Sequence, residues 1–199
     1  MANQPVARMP AAPSSPSQRE RYQRILHAAA MLGTRTEFER VQMQDVAVEA
    51  GVAIATLYRY FPSKVHLFVA ILNAEVSRAG RVGVPTEPGP EAVATMLLEY
   101  GESMLRYRTL SLSLMQSVNL AQSVPGVDLT FMEDRFREIV LRAAGATDPT
   151  DEDRRRAWLV VQCWFGVLMM MLNGHRSVEE STRDIHLACE LLLAPGDRG

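Results

Sequence analysis

Cysteine is scarce in this chain of 199 residues: Cys163 and Cys189 stand in separate apolar stretches. Without a close second thiol or a ligand spacing, they exclude a disulfide framework and a thiolate metal site, and predict buried, reduced thiols. Histidine is sparse too. His27, His66, His175 and His186 form no HExxH pair, and no Walker loop or GxSxG elbow occurs, so no enzyme chemistry, cofactor or metal is expected. The acidic stretch from Asp148 to Asp153 lacks the EF-hand spacing. It coincides with a helix start, where carboxylates are favourable anyway.

A large charge excess is missing. The formal net charge of −2 excludes a uniformly basic coat or a polybasic membrane anchor, while leaving room for a local basic face. No apolar run reaches the roughly 18 residues of a membrane span. The longest, from about 157 to 172, carries Gln162 and follows a charged segment. Pro5, Pro10, Pro13 and Pro16 interrupt the N-terminal stretch MANQPVARMPAAPSSPSQ, which is read as a disordered tail over 1–17 rather than a signal peptide. Together these features predict a cytoplasmic protein outside the membrane. Strand-type alternation of useful length is also lacking, so the expected fold class is all-α.

Hydrophobic residues make up 47% of the chain, enough for a substantial core. Tyr22, Ile25, Leu26, Ala29 and Leu32 recur at helical spacing, leaving Arg19, Arg21 and Arg24 on outer faces. Met43, Val46, Ala47 and Ala50 mark a short second helix that Gly51 can end. A third runs from Ile54 to Tyr60 and stops before Pro62. Ser63 can then cap a fourth helix reaching about Gly80. Gly and Pro residues in GRVGVPTEPGP, 80–90, set a boundary, giving a helix-turn-helix domain over 18–64, a connecting helix over 65–80 and a second helical domain over 81–199. Five further helices are predicted at about 91–107, 110–123, 129–144, 150–172 and 177–193. Thr150 with Asp153 and Ser177 with Glu180 have capping-box spacing at the last two.

Three helices with a tight turn between the second and third describe a helix-turn-helix, whose third helix can enter the major groove of double-stranded DNA. The run from Val41 to Leu72, VQMQDVAVEAGVAIATLYRYFPSKVHLFVAIL, strongly resembles the DNA-binding region of the TetR family of transcriptional regulators. Its YRYFPSKVHL segment is most similar to the KstR-type repressors of steroid catabolism in actinobacteria. The resemblance implies an N-terminal DNA-binding domain and a helical ligand-binding and dimerisation domain. By position, it implies DNA contacts from Thr56, Tyr58, Tyr60 and Lys64. Their hydroxyls and ammonium suit phosphate oxygens, and small Ala55 permits close approach to a base or thymine methyl. Arg59 suits a phosphate or a guanine, or is simply solvated. Gln42 and Gln44 are weaker candidates at the start of the second helix. Leu57 and Phe61 are expected in the core, and packing is the alternative for Tyr58 and Tyr60. Ala53 stands where many relatives place a capping Ser.

The helix over 150–172 has a wide apolar stripe and further apolar residues off it, so it needs cover on more than one side. A homodimer through the last two helices would supply that cover as a four-helix interface, and a dyad-related pair of reading heads would suit a palindromic operator. Met96, Met104, Leu114, Met115, Phe131, Phe136, Trp164, Leu168 and Met171 are candidate walls for a hydrophobic small-molecule effector. Ordinary core is the alternative for each. The resemblance implies a large apolar effector, of steroid or acyl-CoA origin. The competing class is a helical small-molecule carrier whose DNA-like head is unused.

Overall fold

The computed structural model describes residues 10–80 and 86–194, and among these it contains nine α-helices and no strand. In chain order they are α1 (Pro16–Arg35), α2 (Met43–Glu49), α3 (Ile54–Tyr60), α4 (Lys64–Ala79), α5 (Pro90–Arg106), α6 (Arg108–Ala121), α7 (Thr130–Ala143), α8 (Asp151–Leu172) and α9 (Val178–Leu193). The all-α reading therefore holds. The Ser15 hydroxyl caps α1 by accepting from the Gln18 N–H at 3.3 Å, so the helix takes in the last residues of the expected tail. Residues 10–14 carry no regular secondary structure, and the Ala11 N–H donates to the Arg59 carbonyl at 3.0 Å. The earlier tail residues, Arg8 among them, and residues 81–85 of the expected boundary lie outside the described residues.

Two compact units are present, and each is discontinuous in sequence. Among the described residues, the first takes the chain up to Glu75 together with Arg108–Phe131, and the second takes Val76–Tyr107 and the chain from Met132 on. Helix α6 thus packs with the N-terminal helices, which the contiguous domains expected from sequence did not anticipate. Gly33 is the local reason. A Cβ there would stand 2.7 Å from Leu110 Cδ1 and 3.3 Å from Phe68 Cε1, so the bare backbone of α1 lets these side chains pack against it without shifting. The first unit's core is built on Ile25, Val46, Leu57, Phe61, Leu67 and Phe68, all at most 2% exposed. At about 25 cal/mol per Å² of apolar area removed from water, such side chains supply most of its cohesion.

In the second unit, α9 packs on α5 and α8 around Val93, Leu97, Val140, Val160, Leu168, Leu172 and Ile185. Both expected capping boxes are formed. The Thr150 hydroxyl accepts from the Asp153 N–H at 3.2 Å, and the Ser177 hydroxyl from the Glu180 N–H at 3.2 Å. The Asp153 and Glu180 carboxylates return bonds to the cap N–H groups at 2.8 and 2.9 Å. Two orphan donors per helix start are thereby satisfied.

Helix α8 departs from expectation in two ways. By length and hydropathy alone it is long and apolar enough to cross a bilayer, although only 28% of its apolar window is buried. One face of α8 is nevertheless packed: Trp164 Nε1–H donates to the Leu97 carbonyl at 2.9 Å. The outward face carries Leu159 and Met170, each 43% exposed, with Cys163 and Gly166 between them. Cys163 is therefore exposed, not buried as its apolar surroundings suggested. Cys189 is buried, and desolvation pushes its thiol up to about 12.

Candidate nucleic-acid interface

Helix α2 ends in a Schellman turn. The Val52 N–H donates to the Ala47 carbonyl at 3.0 Å and the Gly51 N–H to the Val48 carbonyl at 3.1 Å, with Gly51 at φ 62°. Nothing lies within 4 Å of a Cβ built on Gly51. The glycine is required by backbone sign alone, because left-handed conformations crowd an L side chain. Chain direction thus reverses in a few residues, and α3 starts at Ile54. Neither short helix has a side-chain cap: Gln42 and Ala53 occupy the N-cap positions without a side-chain bond.

Along α3 the side chains divide sharply. Leu57 is fully buried, and Phe61 just beyond the helix is 2% exposed. Ala55, Tyr58 and Arg59 are exposed and Thr56 is half-buried; Gln42 and Gln44 are exposed at the start of α2. Tyr60 corrects the expectation of a projecting contact, being only 2% exposed. Its ring meets Tyr22 edge-on at 5.7 Å, and its hydroxyl accepts from Arg59 Nη2 at 3.1 Å. The cause is helical phase: Tyr60 lies three residues beyond Leu57 and shares its inward face. Tyr22 is itself desolvated, which raises its phenol above the ordinary range.

Lys64 is also held more tightly than a free phosphate contact would require. Its ammonium donates to the backbone carbonyls of Phe38, Glu39 and Val41, the last at 3.0 Å, and stands 4.6 Å from the Phe38 ring centroid. Desolvation lowers its pKa, and the nearby Glu39 carboxylate opposes that shift. Glu39 accepts in turn from the Gln116 amide of α6, the bond that chiefly lowers its pKa. The loop before α2, the start of α4 and the middle of α6 therefore form one polar network. Of the α1 arginines, Arg24 Nε reaches the Ala50 carbonyl at 3.5 Å and Arg19 bonds to the Ser14 carbonyl at 3.1 Å.

Residues 25–71 match the family described as "Bacterial regulatory proteins, tetR family", and residues 87–192 match "Tetracyclin repressor-like, C-terminal domain". The chain belongs to the TetR family of transcriptional regulators. Similar proteins include the HTH-type transcriptional repressor KstR of Rhodococcus jostii, 33% identical over 93% of this chain and 88% of that protein. The KstR of Mycobacterium tuberculosis is 31% identical over 92% and 85%. A crystal structure of a TetR transcriptional regulator from Rhodococcus sp. RHA1 superposes with a TM-score of 0.82 at 44% identity, covering 91% of this chain and 99% of that one. TetR-family proteins of this kind are transcriptional regulators and not enzymes.

The nine pocket candidates of this TetR-family chain are divided between the two units. Leu114 and Met115, each 4% exposed, and Phe131 belong to the first unit. Phe131 is 54% exposed, which removes it as a buried wall. The others belong to the second unit. There Phe136 stacks on Trp164 at 5.1 Å with an interplanar angle of 21°, and Tyr100 lies 6.0 Å from Phe136. Leu168 and Met171 are buried, while Met96 and Met104 are half-buried. Tyr100 had no periodic signal that separated it from ordinary helix packing.

Proposed function

We propose that the chain acts in the cytoplasm as a homodimeric repressor that reads a palindromic operator through α3 and releases it when a hydrophobic small molecule binds. The observation that carries this reading is the sorting of α3: Leu57 and Tyr60 inward, with Ala55, Tyr58 and Arg59 exposed on a helix held by a sharp turn. A helix about 10 Å long with that division is suited to major-groove insertion. Thr56, Tyr58 and Arg59 are its principal DNA-contacting side chains, with Gln42 and Gln44 toward the backbone. Tyr60 and Lys64 act mainly by positioning.

The outward faces of α8 and α9 support the dimer. Leu159 and Met170 on α8, and Leu187 and Leu191 on α9 at 55% and 71% exposure, are large apolar groups left in solvent on two packed neighbours. Gly166, with open space beyond it, would let two copies of α8 approach closely. Effector and DNA must favour different forms of the protein, and linkage then requires each to weaken the other by the same factor. The aromatic cluster of Tyr100, Phe136 and Trp164, with the half-buried Met96 and Met104, is the proposed place for an apolar effector of the steroid or acyl-CoA kind that the KstR resemblance implies.

Selection of genomic duplexes by the purified protein tests this reading. The expected product is a palindrome bound with salt-dependent affinity, and Tyr58→Ala or Thr56→Ala should weaken it by about fivefold to thirtyfold. Recovery of no specific duplex would favour the helical carrier.

A further inference from the structure

We propose that Tyr60 is a positioning residue that holds the Arg59 guanidinium, already in the free protein, as a preset clamp for one phosphate of the DNA backbone. This rests on the reading of α3 as the DNA-contacting helix, and it assigns Arg59 a phosphodiester rather than a guanine. Arg59 Nη2 donates to the Tyr60 hydroxyl at 3.1 Å, and Arg59 Cζ stands 4.9 Å from the centroid of the Tyr60 ring. That ring is itself fixed. It is 2% exposed and meets Tyr22 of α1 edge-on, at 5.7 Å and an interplanar angle of 89°, while Phe61 lies 4.8 Å from Tyr22. The tip of a long exposed side chain is thus tied to the aromatic core of its own unit, which removes rotamer freedom that would otherwise be lost on binding.

Charge and place on the helix select the phosphate. The Tyr60 hydroxyl takes one of the guanidinium's donors, and the rest of this exposed side chain is left to solvent. No carboxylate pairs with Arg59 among the described residues, whereas Arg40 of the same unit has Glu37 at 4.0 Å. An unneutralised guanidinium with donors to spare suits the paired oxygens of a phosphate. Arg59 lies in the last turn of α3, while base edges are read mainly from the start of a recognition helix. The final carbonyls of a helix carry its negative end and repel an anion. Here the Arg59 carbonyl is occupied, because it accepts from the Ala11 N–H at 3.0 Å. The segment before α1 therefore closes the same helix end that the guanidinium serves.

Two measurements on the full-length protein test this without an operator. NMR of the free protein should show slowed rotation and proton exchange of the Arg59 guanidinium, and Tyr60→Phe, which keeps the ring and removes the hydroxyl, should release it. A freely rotating Arg59 in the native chain would overturn the positioning role. Binding to a duplex of arbitrary sequence over a salt series tests the phosphate. Arg59→Ala should lower the slope of log affinity against log salt by about 0.9 for each reading head; an unchanged slope, or no salt-dependent binding by the native chain, would overturn the assignment. Tyr60→Phe should weaken the same duplex about threefold to tenfold and cause no further loss in the Arg59→Ala protein. Equal losses in both backgrounds would mean that Tyr60 touches DNA itself or acts only through the fold, and would overturn the proposal. Failure to select a specific genomic duplex refutes the operator reading alone, since neither measurement needs one.

Discussion

Replacing Lys64 by alanine is expected to lower stability by about 1–2 kcal/mol, because the part-buried carbonyls of Phe38 and Val41 lose a charged donor. Urea denaturation measures this, whereas a lysine serving only as a phosphate contact would leave the midpoint unchanged and alter only the salt dependence of DNA binding. His66 gives a pH signature. Its folded pKa is depressed by burial, so between that value and the unfolded one near 6.5 the unfolded chain binds more protons. Its stabilising contribution is present above pH about 6.5 and is lost as pH falls through the folded pKa. Urea titrations between pH 7 and 5 should show that loss, and His66→Gln should flatten it. At this scale, sequence legibility followed helical phase: Leu57 and Phe61 were readable as core. Tyr60 was not, because its hydroxyl advertised a contact while its position three residues after Leu57 turned it inward. The anchoring of Lys64 was not legible either, since its acceptors are backbone carbonyls that no side-chain pattern records.

Short helices depend on their ends, and α2 and α3 have seven residues each. Gly51→Ala should cost about 1–2 kcal/mol through the left-handed backbone at that turn, with no steric contribution from neighbours. Thermal unfolding measures the loss, and an unchanged midpoint would refute the account. Ala53→Ser should add an N-cap and stabilise α3 by about 1 kcal/mol. Amide exchange in α3 is the measurement, and the native chain should show greater protection with operator than without. The starts of α8 and α9 were legible from four residues because a capping box is a local pattern. The grouping of α6 was not, because the packing that places Leu110 against Gly33 joins residues 77 positions apart in the chain.

For the whole molecule, Gly166→Arg should convert the proposed dimer to monomer in sedimentation velocity and weaken operator binding in parallel, since two half-sites are then read independently. Retained dimer would place the interface elsewhere. The breadth of apolar sequence on α8 made the need for cover readable, but not which face stayed open; that required the packed contact through Trp164. The same indole has an optical consequence. The chain has two tryptophans: Trp158 is half-buried, whereas Trp164 is buried, stacked on Phe136 and hydrogen-bonded to Leu97. Its emission should therefore be blue-shifted and resist aqueous quenchers, and a molecule entering beside Phe136 would report its own arrival without any added label.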